Sequence, residues 1–273
     1  MATLISDVMN GGSQKIRAGQ ISGRETRIGL ALGGGFARGI AHAGVLRVFE
    51  REGIPIHAIS GVSSGAIAAA AFASGCSSNE IERAAHSIEI SSVESLGAFV
   101  MALLKKVIFE DMLIPLAIVA SDLTAGAPVI FKEKGDVLMP IRASCAYPGI
   151  FPPVRYMNHV LVDGMVAMDV PAAPLRRMGA THVVAVVLPP TDMADPQNAQ
   201  SVVQRSFQIM TARNKSHWRR SSDIVISPDV KDSGWSTGWN SREAAHQMIE
   251  AGARAAEAVL PQILKWFTSA EAA

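Results

Sequence analysis

The pentapeptide Gly61-Val62-Ser63-Ser64-Gly65 constrains this chain more than any other stretch. It follows an apolar run, Ile56-His57-Ala58-Ile59, and precedes a helix-forming run from Ala66 to Ala73. The order is strand, sharp turn, helix. A serine at such a turn is pushed off the backbone with its Oγ exposed, and a Cβ at either flanking glycine would clash in so tight a bend. The helix that starts at the serine turns its unpaired N–H groups and positive dipole end towards whatever the Oγ attacks. The pattern G-x-S-x-G arises by chance roughly 0.1 times in a chain of this size. Alone it also fits a strand-to-helix turn carrying a solvated serine, so the remaining sequence has to decide.

From Arg27 onward, short apolar or β-branched runs alternate with longer helical segments. The pattern predicts strands at Ile28–Leu32, Ile56–Ser60, Leu116–Ser121, Val129–Lys132, His159–Val162, Val183–Leu188 and Asp223–Ser227. Helices are predicted at Arg38–Glu52, Ser64–Ser74, Asn79–Ile88, Val93–Lys106, Val137–Ser144, Ala172–Gly179, Val202–Arg219 and Arg242–Phe267. Buried strands alternating with helices imply an α/β fold with a mostly parallel sheet covered on both faces. With 273 residues, 49% of them hydrophobic, the chain can bury one large core. Residues 27–268 are therefore expected to form a single domain, with residues 1–26 as a flexible N-terminal arm.

A net charge of +1 gives no sign of a nucleic-acid partner. Two cysteines, Cys76 and Cys145, make no disulfide framework and fit buried thiols in a reducing compartment. Residues Met1 to Gly23 lack the basic start and apolar stretch of a signal peptide, and no apolar run approaches the ~18 residues of a membrane span. The expectation is a cytoplasmic, soluble protein, with peripheral contact at the inner face of a membrane left open. The segment Val202 to Arg220 bears on this. It carries Arg205, Arg213, Lys215, Arg219 and Arg220 beside Phe207, Ile209 and Trp218, which fits a helix lying on an anionic surface or an ordinary outer helix.

A glycine-rich loop, Gly33-Gly34-Gly35-Phe36-Ala37-Arg38-Gly39, follows the first strand and opens the first helix. The dinucleotide fingerprint needs a glycine where Arg38 stands, and a phosphate loop needs Gly-Lys-Ser/Thr. The pattern instead suits an oxyanion hole, in which the N–H groups of Gly33, Gly34 and Gly35, with that of Ser64, converge on one developing charge. A serine also needs a base. None of the seven histidines falls in a suitable loop-end context. Asp163 does: it ends the apolar run Val160-Leu161-Val162 and precedes Gly164, where parallel-sheet sites form. An ordinary Asp-Gly turn is the alternative.

Taken together, these residues resemble the patatin-like phospholipase family, from about Ile28 to Gly252. The family's G-G-G-x-x-[RK]-G motif stands at Gly33 to Gly39, and its nucleophile elbow at Gly61 to Gly65. The segment Ala143-Ser144-Cys145-Ala146-Tyr147-Pro148-Gly149-Ile150-Phe151-Pro152-Pro153-Val154 is similar to the one upstream of the family's catalytic aspartate, and Ser121 to Gly126 is similar to a structural landmark. The resemblance implies a three-layer α/β/α sandwich and a Ser-Asp dyad, with Ser63 as nucleophile and Asp163 as its direct base. It further implies hydrolysis of lipid esters (phospholipase A, lysophospholipase or esterase) without metal or cofactor. Arg38 would steer a lipid phosphate or pair with a carboxylate.

Two features depart from the family. Met165 stands after Asp163-Gly164 where a small residue is usual, and the stretch before Phe109-Glu110-Asp111 is short. An acyltransferase, or a non-catalytic lipid-binding protein, therefore stays as an alternative.

Overall fold

The computed structural model describes residues 26–86, 92–189, 195–213, 216–230 and 241–268. The predicted arm up to residue 25 lies outside them. Thr26, assigned to the arm, is anchored: its Oγ1 donates to the carbonyl of Trp266 at 3.0 Å.

The chain runs β1 (Ile28–Leu32), a 3-10 turn (Phe36–Ile40), α1 (Ala41–Arg51), β2 (Ile56–Gly61), α2 (Ser64–Ala73), α3 (Ser78–Ala85) and α4 (Val93–Leu103). It continues through β3 (Leu116–Asp122), β4 (Ala127–Lys132), α5 (Leu138–Ser144), β5 (Val154–Tyr156), β6 (His159–Asp163), α6 (Ala172–Arg177) and β7 (His182–Val186). It ends with α7 (Ala199–Arg213), α8 (Ser216–Arg219), β8 (Ile224–Ile226) and α9 (Arg242–Thr268). The strands form one sheet in the order β5-β6-β3-β2-β1-β7-β8, with β4 also on β3. Pairs among β1, β2, β3, β7 and β8 are parallel; β4, β5 and β6 are added antiparallel.

Period-two alternation sorts the sheet's faces. Ile28, Leu30, Leu32, Ile59, Ile118 and Val184 face the larger core with α1, α2, α3, α4 and α9. Ala31, Ala58, Val183 and Ala185 face α6 and Trp218 of α8. The α6 side is lined by small residues because α6 comes close: a Cβ on Gly29 would lie 3.0 Å from Leu175 Cβ. The expected α/β/α layering with a mostly parallel sheet is therefore present.

Some boundaries differ. The predicted first helix begins as a 3-10 turn over Phe36–Ile40, entered through Gly35 at φ −179°, ψ 11° and Phe36 at φ +56°. The α3 capping residue is Ser77 rather than Ser78, in a reciprocal bond with Glu80; residues 87–91 of the predicted helix end and beyond lie outside the description. Strand β5 was not expected, being only three residues long. The predicted helix Val202–Arg219 is two helices, with residues 214–215 outside the description. Its apolar stripe divides: Ile209 is exposed on α7, Phe207 turns inward to an edge contact with Tyr147, and Trp218 is buried against the sheet. Among the described residues no helix is long and apolar enough to cross a membrane.

The α9 sequence also offers an apolar stripe of Ala245, Met248, Ile249, Ala256 and Val259; the first four are buried and Val259 is half-buried against the same core. Helix α9 crosses α1 at backbone contact. A Cβ on Gly44 would fall 1.8 Å from the Ile249 carbonyl oxygen, and one on Gly252 2.0 Å from that of Ala41. Gly97 in α4, by contrast, has nothing within 4 Å of its Cβ position. Gly44→Ala is expected to cost about 3 kcal/mol by forcing the helices apart, while Gly97→Ala gains about 0.5–1 kcal/mol from helix propensity. Urea unfolding of the two variants checks the opposite signs.

Candidate functional site

The site is built where two strands end on the same edge of β3. Strand β4 occupies one edge of β3 throughout, from Ala117 to Asp122. On the other edge β2 pairs only up to Gly61↔Ile118, and β6 arrives from the opposite direction, ending at Asp163↔Ala120. The chain leaving β2 turns at Ser63 just where the tip of β6 delivers Asp163.

Ser63 is held at φ +55°, ψ −126°, a costly conformation for a residue with a side chain. Its surroundings over-determine it. The Ser63 N–H donates to Ser144 Oγ at 2.8 Å, and that hydroxyl donates to the Val119 carbonyl at 2.7 Å. The glycines of the elbow are required by close approach. A Cβ on Gly65 would be 2.2 Å from the Leu32 carbonyl oxygen, and one on Gly61 2.4 Å from that of Gly65. Gly164 is required for the same reason, since its Cβ would lie 2.3 Å from the Val119 carbonyl oxygen.

Asp163 is wholly buried. Its Oδ1 accepts from the Met165 N–H at 2.9 Å; its Oδ2 has no hydrogen-bond partner of ordinary geometry. Burial pushes its pKa up to about 7, against the opposing pull of the Met165 N–H and of the nearby Ser63 hydroxyl. The same hydroxyl stands close to Cys145, a thiol that burial and the Asp163 charge push well above its ordinary range. Tyr147 is also raised, to about 12, by burial and then by Asp163. The pair Ser63 and Asp163 is thus brought together in a site that favours a neutral carboxyl at low pH and an ionised one only near neutrality.

The glycine-rich loop is narrower in function than expected. The N–H of Gly33 donates to the Val186 carbonyl at 3.0 Å, and that of Gly34 to the Asp169 carbonyl at 3.1 Å. Both serve to fasten the loop, so the two cannot also face an oxyanion in this conformation. The N–H groups of Gly35 and Ser64 have no partner among the described residues. Arg38 fastens the same loop. It is buried, its Nε donates to the Gly35 carbonyl at 3.1 Å, and its Nη1 donates to the Pro189 carbonyl. Burial lowers its pKa to about 10.

Two residues given no role by the sequence belong here. Ser144 bridges the elbow to β3; its place in the segment before Asp163 was the available signal. His42, wholly buried, donates from Nε2 to the Gly33 carbonyl at 2.8 Å. Burial lowers its pKa to about 4, so the ring is neutral and leaves Nδ1 unpartnered. It is a brace for the loop and lies behind it.

Ser63 and Ser64 open onto an apolar cavity. Ile40 and Ala43 of the first helical segment, Ile67 of α2, Ile81 of α3, and Leu96, Phe99 and Leu103 of α4 line it, with Phe36, Cys145 and Phe151 at the serine. The run Ala98 to Leu104 therefore serves both as cavity wall and, through Val100, as core. Met165 does not line this cavity; it packs against Gly34, its Sδ 2.6 Å from where a Cβ there would fall. Among the described residues no cluster of His, Cys, Asp or Glu is arranged to hold a metal ion.

Holding Asp163 this way has a predictable stability signature. Its folded pKa is raised above the unfolded carboxyl value of about 3.9, so its favourable contribution is complete below that value and is lost as pH rises through about 7. The full excursion is roughly 4 kcal/mol on the same shift. Asp163→Asn keeps the acceptor for Met165 and does not ionise. It should melt higher than the wild type at pH 8, with the difference vanishing towards pH 4, as thermal unfolding at the two pH values will register.

Comparisons with known proteins bear on the fold and the family. A family model described as patatin-like phospholipase matches residues 30–115 and 89–176. An uncharacterized NTE family protein of Mycobacterium tuberculosis is 30% identical over 209 residues, covering 70% of this chain and 57% of the relative. Neuropathy target esterase sws of Drosophila melanogaster is 30% identical over 63% of this chain, which spans only 13% of that protein. The crystal structure of VipD from Legionella pneumophila shares the fold, with a TM-score of 0.58 at 14% identity over 88% of this chain and 68% of the other. The fold, the matched segments and the sequence relatives place the chain in the patatin-like phospholipase family.

Proposed function

We propose that this protein is a serine acyl hydrolase acting on carboxylic esters of lipids. Family membership supports lipid hydrolysis in general; the observation that carries the specific reading is the buried Asp163, with a pKa near 7, beside the strained Ser63 at the mouth of an apolar cavity. The ionised Asp163 takes the proton of Ser63 Oγ as the oxygen attacks the ester carbonyl. The N–H groups of Gly35 and Ser64 receive the oxyanion. The leaving alcohol takes the proton back from Asp163, leaving an acyl-serine. Asp163 then draws a proton from water as the water oxygen attacks the acyl carbon, and returns it to Ser63 Oγ as the bond to the serine breaks and the fatty acid leaves. These steps call on no metal or cofactor.

An aspartate at its ordinary pKa of about 3.9 would be a weak base for this task. Raised to about 7, it is matched to neutral pH. The acyl chain is assigned to the apolar cavity. Contact with a lipid surface is supported by the exposed Val202, Val203, Ile209 and Met210 of α7, next to Arg205 and Arg213.

A fluorophosphonate probe, mapped by mass spectrometry, should label Ser63, with no adduct in Ser63→Ala. Asp163→Asn should slow labelling about 10²–10⁴-fold. The labelling rate should rise tenfold per pH unit up to about 7 and then level off, because only the ionised carboxylate acts as base. No adduct on folded protein would turn the reading towards a lipid-binding protein without turnover.

A further inference from the structure

One short segment grips the nucleophile, the carboxylate and the glycine-rich loop. In Ser144-Cys145-Ala146-Tyr147, the Ser144 Oγ accepts from the Ser63 N–H at 2.8 Å, and the Ala146 carbonyl accepts from the Asp163 N–H at 3.0 Å. The grip on the loop is made by rings. Tyr147, at 3% exposure, meets Phe36 edge to face, with centroids 5.5 Å apart and planes at 84°, a favourable arrangement for two aromatic rings. Phe207 of α7 also packs on Tyr147, at 6.5 Å and 69°. The Ile150 and Phe151 N–H groups both donate to the Tyr147 carbonyl at 3.0 Å, which fixes the backbone that carries the ring.

Phe36 needs such a hold. It stands at φ +56°, a costly conformation for a residue with a bulky side chain. It directly follows Gly35, whose N–H is assigned to the oxyanion. The Gly35 carbonyl accepts from the Arg38 N–H at 3.2 Å and from Arg38 Nε at 3.1 Å. With the helix behind it in place, Phe36 reaches an ordinary negative φ when the peptide joining Gly35 to Phe36 turns over. That turn takes the carbonyl off Arg38 and releases the restraint on one side of the Gly35 N–H. The Phe36 ring is the handle that opposes it. The ring lines the cavity beside Ser63, and there Tyr147 meets it.

We propose that Tyr147 is a positioning residue for the reaction: acting through the Phe36 ring, it keeps the Gly35 oxyanion donor in register with Ser63 and Asp163. The proposal rests on the acyl hydrolase reading. The part is played by the ring. Burial, and then the Asp163 charge, pushes the phenol up to about 12, so it stays neutral near pH 7 and brings no charge to the oxyanion. Ser144 fixes the backbone of the nucleophile, and Tyr147 aligns the donor that faces it. One oxyanion donor is worth about 10²–10³-fold in kcat. A donor that spends part of its time turned away costs a fraction of that.

The test uses the full chain with p-nitrophenyl octanoate as substrate, an octyl trifluoromethyl ketone as a mimic of the tetrahedral adduct, and octanoate as a ligand that fills the cavity without forming one. In Tyr147→Leu, kcat should fall about 10–30-fold with KM within about twofold, and the ketone should bind weaker by the same factor while octanoate binds as before. Tyr147→Phe, which keeps the ring, should stay within about twofold of the wild type. Phe36→Leu should show the same loss as Tyr147→Leu, and the double variant should be no worse than the poorer single one, since the two rings act as a unit. Losses that multiply in the double variant overturn the proposal. So does a wild-type kcat in Phe36→Leu, which decides the matter even where Tyr147→Leu does not fold. Tyr147→Phe as impaired as Tyr147→Leu gives the task to the hydroxyl and overturns the ring. Equal weakening of octanoate and ketone, with a lower melting temperature, overturns it too and makes Tyr147 a structural residue. Wild-type protein that neither cleaves the ester nor gives a fluorophosphonate adduct on Ser63 overturns the hydrolase reading itself, and the proposal with it.

Discussion

Everything at this site depends on one edge of β3 being shared. A strand edge can be paired along its whole length by one neighbour, and β4 does so on the other side. Here β2 stops at Ile118 and β6 takes over at Ala120. The gap between them is filled by the elbow, whose N–H groups must find other partners than the ladder. Ser144 answers that need by bridging the Ser63 N–H to the Val119 carbonyl, the residue of β3 that neither neighbour pairs. The junction that leaves a sheet edge unpaired is thus the junction that brings Ser63 and Asp163 together.

The junction also explains why local rules are broken there. A serine at positive φ and a wholly buried carboxyl each oppose folding. They are held because the surrounding chain is packed to backbone contact through Gly61, Gly65 and Gly164, which removes room for relaxation. The large apolar core against α1, α2 and α9 supplies the stabilisation that such a site spends.

Much of this was legible in the sequence. The elbow, the Asp-Gly at the end of β6 and the layered fold follow from short motifs whose residues have few structural alternatives. Glycine position was legible too, though for a partly different reason. Gly164 has an ordinary negative φ and is needed because Val119 passes close by. What the sequence did not disclose was how the loop's hydrogen bonds are distributed. Three consecutive glycines look like equivalent donors, and only the register of β1 against β7 and the approach of Asp169 show that Gly33 and Gly34 are already engaged. Nor did it disclose that Arg38 is buried and spends two donors on carbonyls of its own surroundings. The α7 segment misled through periodicity, since Phe207 and Ile209 lie two residues apart and point to different faces of the helix.

The distribution of those hydrogen bonds gives the loop a definite mechanical form. The peptide joining Gly33 to Gly34 is clamped at both ends, its carbonyl by His42 and its N–H by the Asp169 carbonyl. The carbonyl of the peptide joining Gly35 to Phe36 is clamped by Arg38. Between them the peptide joining Gly34 to Gly35 makes no hydrogen bond among the described residues, through either its carbonyl or its N–H. A donor of this kind has its position set by rigid neighbours while its own hydrogen-bonding capacity is unspent. That is the condition under which a backbone N–H can favour a developing charge over the neutral ground state, since no competing acceptor has to be given up and little reorganisation remains. In the proposed mechanism His42 and Arg38 act at one remove, by holding carbonyls of the loop.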